Sequence, residues 1–500
     1  MSRVSAESRS PLVSLAVLCG ALALVMGSMS SLTVALPEIS RSTGAAQSDL
    51  TWIVDSYAVA FAGLLLPCGA LGDRYGRRRM LIYGLIVFGA ACLLGPIGDD
   101  PDMLIASRTL AGLGAALVMP ATLSLITTTM RGSAQERAVG VWVATATLGG
   151  VLGVIGAGLV LEIADWRAVL YVSAGLAFVL AAAGPLAGES KDQERPPFDL
   201  VGAVAGAASI GLVVFGINEA PTHGWDSAIV WSCVLAGTGL GWGFAVIELR
   251  RRHPLLDIRI FRSRPVLTGS LMLIALFAVT FAYFFLVVQF QQLIEGRSPL
   301  QAGVVMLPAA ITLLPLALMA PALVARFGLR VVTSWGLLPM VEAFALLAIA
   351  ERGDSGLFLA AMLLFGVTLG LCVTPATVAI LRSVSAGKQG VASAVNDAVR
   401  EVGAALGLAV AGSLLASGYA HHLGPAVEQL PAPARGPTEA SLAGALQVAE
   451  QLGPAGAAAL AEARAAFLTG MHSAALACSI FVAVAAVAVA TFAPGSDAPN

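Results

Sequence analysis

The stretch GALGDRYGRRRM, Gly69 to Met80, places one acid and four arginines (Asp73, Arg74, Arg77, Arg78 and Arg79) within seven residues. Residues 56–72 before it and 80–98 after it carry no charged side chain. A membrane helix needs about 20 apolar residues, and each flank offers such a run. The stretch therefore reads as a short charged connection between two membrane helices.

Composition agrees. The 500 residues are 58% hydrophobic and only 12% charged, against roughly 25% charged in soluble domains. That deficit describes a polytopic membrane protein. A net charge of −2 leaves no basic excess for nucleic acid. Six cysteines (Cys19, Cys68, Cys92, Cys233, Cys372, Cys478) lie inside apolar runs without paired or metal-like spacing, as inert buried thiols do. None of the five histidines has metal-ligand spacing, and no GxxxxGK[S/T] loop occurs. No enzyme, no cofactor and no ATPase within the chain is expected.

The apolar run from Leu12 to Pro37 exceeds the roughly 7–15 residues of a signal-peptide core, so it reads as the first membrane helix. Further spans are predicted to begin near Leu50, Met80, Asp102, Glu136, Trp166, Leu200, Asp226, Pro265, Pro299, Leu329, Ser355, Gln389 and Ala465, giving about 14. Lysine and arginine concentrate at the N-terminus and in the even-numbered gaps: Arg3, Arg9, Arg74 to Arg79, Arg131, Arg137, Lys191 and Arg195, Arg250 to Arg264, Arg326, Arg330, Arg382 and Lys388. The odd gaps hold few. The positive-inside rule then puts both termini and the opening stretch in the cytoplasm.

The chain also echoes itself. GALGDRYGRR from Gly69 returns as PALVARFGLR from Pro321, LVMPATLSLI from Leu117 as CVTPATVAIL from Cys372, and GGVLG ending at Gly153 as GAALG ending at Gly407. One offset, near 250 residues, relates all three, which predicts two related six-helix halves with two further helices between them. The expected divisions are a cytoplasmic N-terminus at 1–11, a first bundle at 12–190, an inserted pair at 191–252, a second bundle at 253–493 and a tail at 494–500. The second bundle carries a long outer loop at 418–464, within which TEASLAGALQVAEQL forms either an amphipathic surface helix or part of a disordered connector.

Charges inside apolar helices are functional candidates because they are costly there, roughly 2.5–3.5 kcal/mol each on insertion scales. Asp55, in TWIVDSYAVAFAG, is either an interfacial acid or a cavity-facing carboxylate suited to carrying protons. Arg108 cannot lose its charge, so it either snorkels outward or meets a carboxylate or carbonyls and biases a neighbouring acid. Asp397, Arg400 and Glu401 share one helical face by their spacings of three and four, either as a plain ion pair or as a site. Glu342 stands alone, with either role open. Glycines such as Gly149, Gly153 and Gly158 allow helices to approach closely, and Pro120 and Pro375 stand at matched positions that suggest kinks.

These residues resemble the major facilitator superfamily, specifically its fourteen-helix drug–proton antiporter branch. GALGDRYGRRR is similar to the signature between the second and third helices of that family, RTLAGLG from Arg108 to its fourth-helix motif, and HPLLDIRIFRSRP, SPLQAGVVMLPAA and GVASAVNDAVREVGAALG to stretches of the branch. The resemblance implies two six-helix bundles around a central cavity that opens to alternate sides. It implies gating by Gly69, Asp73, Arg74, Gly76 and Arg77, with both glycines serving a tight turn and the arginines after Gly76 mainly anchoring the loop. It also implies proton coupling through Asp55 and Arg108, and substrate contact by Asp55, Ser28, Asp397 and Glu401. Relatives carry an acid where this chain has Ser28, a proline at Val154, a glycine at Ala157, and NVP at the position of SAG from Ser173.

The leading expectation is a proton-driven exporter of lipophilic drugs, antibiotics or secondary metabolites in a bacterial cytoplasmic membrane. Its partners would be a lipophilic small molecule and membrane lipids, with no ATPase subunit, and it would act as a monomer. A facilitator or symporter importing a small metabolite is the alternative, and a non-transporting receptor or membrane enzyme the more distant one.

Overall fold

The computed structural model describes residues 11–43, 47–98, 100–190, 199–251, 254–256, 258–382, 384 and 389–492. Arg3, Arg9, Lys191, Arg195, Arg252, His253, Lys388 and the tail 494–500 lie outside the described residues.

The helices are α1 (Pro11–Thr43), α2 (Gln47–Tyr75), α3 (Arg77–Leu94), α4 (Pro101–Thr129), α5 (Gly132–Leu161), α6 (Trp166–Ala183), α7 (Leu200–His223), α8 (Ala228–Arg250), α9 (Arg264–Gln289), α10 (Pro299–Val305), α11 (Pro308–Phe327), α12 (Leu329–Leu347), α13 (Ser355–Arg382), α14 (Gln389–His422), α15 (Ala432–Ala440), α16 (Leu442–Leu452) and α17 (Ala457–Phe492). Among the described residues no strand occurs, and 14 helical segments are long and apolar enough to cross a membrane. Helices dominate because each satisfies its own backbone polar groups, the condition for crossing hydrocarbon.

Packing repeats in the two parts of the chain. In the first, α1 lies on α5, α2 on α4, and α3 on α4 and α6. In the second, α9 lies on α14, α11 on α13, and α12 on α13 and α17. The turn repeats as well. Gly76 alone separates α2 from α3 at φ 109°, and Gly328 alone separates α11 from α12 at φ 83°. Such positive φ angles favour glycine. Between the two parts, α2 meets α14 and α5 meets α11, while α7 lies along both α2 and α14 and carries α8 on its other side.

Three expectations about boundaries change. The span predicted from Pro299 is two helices. Ser298 caps α10 by accepting from the Gln301 amide, the chain turns at Met306 and Leu307, and α11 starts at Pro308, whose nitrogen has no hydrogen to continue the ladder. The last span begins at Ala457 rather than Ala465, and α14 continues to His422. The connection between them is therefore 423–456, shorter than the expected 418–464, and it is helical. The Tyr419 hydroxyl donates to the Thr438 carbonyl at 2.6 Å, and Glu462 accepts from the Ala426 amide at 2.8 Å, tying α15 and the preceding turn to α14 and α17. Amphipathic α16 buries Leu442, Ala445 and Val448, a spacing of three that gives it an apolar side.

Close approach of α1 and α5 depends on Gly153. A side chain there would fall on the backbone of Gly27, with its Cβ 2.5 Å from the Gly27 Cα, and at Gly149 it would meet Met26. Pro120 and Pro375 sit inside unbroken α4 and α13. Gly153→Val should destabilise the protein by about 1–3 kcal/mol, the usual cost of overpacking. A thermal-unfolding scan in detergent checks this: the expected result is a midpoint several degrees lower, and an unchanged midpoint would contradict the contact.

Candidate functional site

Two features form the candidate site: a contact that joins the two bundles at one end, and a cavity between them.

The contact is built by the opening stretch. Asp73 lies in the last turn of α2 and is 6% exposed, and Arg77, in the first turn of α3, is fully buried. The Arg77 Nε and Nη2 donate to Asp73 Oδ1 at 2.9 and 2.6 Å, a spacing of four residues carried across the Gly76 turn. The same carboxylate crosses to the other bundle. Its Oδ1 accepts from the Gly390 amide at 2.8 Å and its Oδ2 from the Val391 amide at 3.0 Å, at the N-terminus of α14. A helix start presents unpaired amides and partial positive charge, so it suits an anion. Arg77 is held further by Ser190, whose hydroxyl accepts from Nη1 at 2.7 Å.

Two sequence expectations change here. Arg77 is the buried counter-ion of Asp73, and it does not anchor the loop from the surface. Gly76 makes the turn, but Gly69 lies within α2, where a Cβ would stand 2.5 Å from the Gly390 carbonyl oxygen. Gly69 thus lets α14 approach the carboxylate. Arg74 lies over the Tyr75 ring, with its guanidinium centre 5.4 Å from the centroid, and the Arg78 amide donates to Glu189 at 3.2 Å. At the same end Glu136 of α5 pairs with Arg382 of α13, and Gly140 lies against the Ala317 carbonyl of α11.

The cavity has a volume of about 380 Å³ and lies between α1, α2, α5, α9, α10, α13 and α14. Its wall is mostly apolar, from Met26, Val54, Val151, Phe281 and Met306 among others, with Thr33, Thr280 and Gln292 as polar points. Gln292 comes from a π-helical turn, Phe290–Ile294, that continues α9. Two charged residues line it, Arg400 and Glu401.

Of the four residues expected to meet substrate, only Glu401 is in that wall. Helix phase accounts for Asp55: Val54 faces the cavity, and Asp55 is turned about 100° away, as in any helix with 3.6 residues per turn. It is half-buried on a helix that packs against α7, where Glu219 is within electrostatic range and is itself 2.8 Å from His223 Nδ1. Asp397 is fully buried behind the wall, accepting from Asn396 at 3.0 Å and lying 3.7 Å from Arg400 Nη1. Glu342 is exposed on α12.

Ser28 is drawn to Arg108. The Arg108 Nη1 donates to the Ser28 hydroxyl at 3.1 Å, Nη2 to the Ser28 carbonyl at 3.1 Å and Nε to the Ile53 carbonyl at 3.4 Å. The Tyr57 ring lies 4.3 Å from the guanidinium centre, and its hydroxyl donates to the Val25 carbonyl at 2.9 Å. Arg108 therefore fastens α1 and α2 to α4 through carbonyls, a hydroxyl and a ring.

Trp142 gave no signal in the sequence. It is fully buried in α5, its Nε1 donates to Thr122 at 2.9 Å, and its ring lies 5.0 Å from the Arg400 guanidinium centre.

With this geometry in place, the profile of the Major Facilitator Superfamily matches residues 18–408. The chain belongs to that superfamily. Relatives include the multidrug efflux pump LfrA of Mycolicibacterium smegmatis, 32% identical over 485 residues that cover 95% of each chain. Another is the cephamycin export protein CmcT of Amycolatopsis lactamdurans, 34% identical over 409 residues that cover 80% of this chain and 84% of the relative. The crystal structure of the human organic anion transporter MFSD10 aligns over 96% of this chain and 99% of its own, with a TM-score of 0.62 at 14% identity, a likeness of fold alone. The chain is thus a multi-pass membrane transporter of the superfamily, among relatives that are multidrug and antibiotic efflux pumps.

Gly69→Val should wedge α2 from α14. A lone cysteine placed at the buried position Ala394, in an otherwise cysteine-free background, should then react several-fold faster with a membrane-impermeant thiol reagent. Equal labelling rates with and without the valine would contradict the close approach.

Proposed function

We propose that the protein exports lipophilic drugs, antibiotics or secondary metabolites across a bacterial cytoplasmic membrane by alternating access, driven by the proton gradient. One observation carries the reading: the bundles are joined at the Asp73 end, while an apolar cavity lined by one carboxylate, Glu401, lies between them. The printed roles of LfrA and CmcT support export as the direction. The excess of arginine in the even gaps supports a cytoplasmic Asp73 end and cytoplasmic termini. No cofactor or ATPase subunit enters the scheme, and a monomer suffices, because the cavity is complete within one chain.

In this scheme substrate enters from the cytoplasmic side when the Asp73 contact is open. Apolar walls remove its hydrocarbon surface from water, at roughly 25 cal/mol per Å², and ionised Glu401 meets a positive or hydrogen-bond-donating group. Closure of the Asp73 contact turns the cavity outward. A proton from outside then neutralises Glu401, loosens the substrate and allows the empty carrier to return. Arg108 supports the coupling by holding α1, α2 and α4 as one unit, and Asp55 with Glu219 supplies a second carboxylate site at the α2–α7 contact.

Facilitated uptake or symport is the second reading. It is favoured by α5 running unbroken through Val154, where relatives of the antiporter branch carry a proline.

Glu401→Gln should abolish protonophore-sensitive efflux in a drug-susceptibility panel run in an efflux-deficient host, while membrane insertion is retained. If the variant exports a wild-type substrate at an unchanged, protonophore-sensitive rate, Glu401 is not the coupling carboxylate. Uptake, rather than efflux, of labelled substrate by wild type would favour the second reading.

A further inference from the structure

Arg400 is built into the cavity in an unusual way. It is 2% exposed, yet its Nε and Nη1 have no hydrogen-bond acceptor among the described residues. Asp397 Oδ1 lies 3.7 Å from Nη1, close enough for charge attraction but beyond hydrogen-bond reach. The guanidinium is held between two rings, with Phe277 at 4.4 Å and Trp142 at 5.0 Å from its centre. Aromatic faces position a guanidinium without using its N–H groups. Buried N–H donors left unpaired are costly, and a fully desolvated one is a place where an acceptor gains most.

The other interior arginine shows the contrast. All the nitrogens of Arg108 find carbonyl or hydroxyl oxygens, and the cavity wall does not include it. Arg400 shares the wall with Phe277, Thr280 and Glu401.

We propose that Arg400 is a substrate-binding residue, and that the preferred substrates carry an oxygen acceptor, a carbonyl or an acidic oxyanion, on an apolar aromatic frame. The acceptor takes an unpaired N–H of the guanidinium where Arg400 meets the cavity, and the frame lies along Phe277, Phe281 and Met306. Lipophilic compounds without such an oxygen bind by hydrophobic contact alone. This rests on the cavity being the substrate site of the exporter proposed above.

The test measures binding, which needs no gradient, on the full chain in nanodiscs, with empty nanodiscs subtracted. Three fluorescent probes share a naphthylamine frame: N-phenylnaphthylamine with no oxygen, its sulfonate (anilinonaphthalene sulfonate), and the neutral ketone propionyl-dimethylaminonaphthalene. At least one oxygen-bearing probe should bind wild type roughly tenfold to a hundredfold more tightly than N-phenylnaphthylamine, the range of a charge-assisted hydrogen bond. A preference for the sulfonate assigns an anionic group, and one for the ketone a neutral carbonyl. Arg400→Leu should remove the preference while N-phenylnaphthylamine still binds, and Arg400→Lys should restore it only partly, since a point charge lacks the planar fork. Equal wild-type binding of all three probes overturns the proposal, as does a preference that survives Arg400→Leu. If both variants fail to fold, the wild-type ratio still decides. A preference found without protonophore-sensitive export would count against the exporter reading and leave Arg400 as a binding residue.

Discussion

The structure turns on one buried carboxylate. Asp73 accepts hydrogen bonds from Arg77 on its own side and from two amides of α14 on the other. Taking a carboxylate from water is costly, and removing a partner from a buried pair costs about 3–5 kcal/mol. Hydrogen bonds to a charged group return about 1.5–3 kcal/mol each. The contact is therefore stable while complete and poor when half made. Such a contact suits the latch of the proposed scheme, since a carboxylate parted from α14 must find water instead. Gly69 and Gly76 make the geometry available, one by removing a side chain between helices and the other by supplying a turn at positive φ.

The internal repeat is not symmetric in charge. Ala325 occupies the place in the second copy that Asp73 holds in the first, so the second copy of the turn offers no matching carboxylate. Deeper in, two buried arginines are handled differently. Arg108 is satisfied by oxygens of α1 and α2 and acts as a fastening. Arg400 is held by rings within electrostatic range of Asp397 and Glu401, and its Nε and Nη1 have no acceptor among the described residues. Both retain their charge at any working pH, so in the proposed scheme proton exchange falls to carboxylates. The acids near the bundle interior lie at different places: Glu401 in the cavity wall, Asp397 behind it, and Asp55 beside Glu219 toward α7.

The helix count was legible because hydropathy and length decide it, and the opening stretch was legible because charge is so scarce elsewhere. Breaks inside apolar segments were not. The turn between α10 and α11 leaves hydropathy unchanged, and only Pro308 hints at it. Helix phase was the larger gap. An amphipathic soluble helix shows which side is buried, but a membrane helix is apolar all round, so nothing local tells that Val54 and not Asp55 faces the cavity. The pairing of Asp73 with Arg77 was available from their spacing of four, though the glycine between them argued for a loop. The meeting of Trp142 with Arg400 joins residues of different bundles, and no local pattern encodes it.

The central claim is that Asp73 holds the bundles together at its end. Pulsed electron-paramagnetic distance measurement between spin labels at Tyr75 and Phe327 tests it most directly. Both are exposed, at the ends of α2 and α11 in opposite bundles. The account predicts a short-distance population in wild type that shifts to longer distances in Asp73→Asn, where Arg77 loses its counter-ion. Superimposable distance distributions for the two proteins would contradict it.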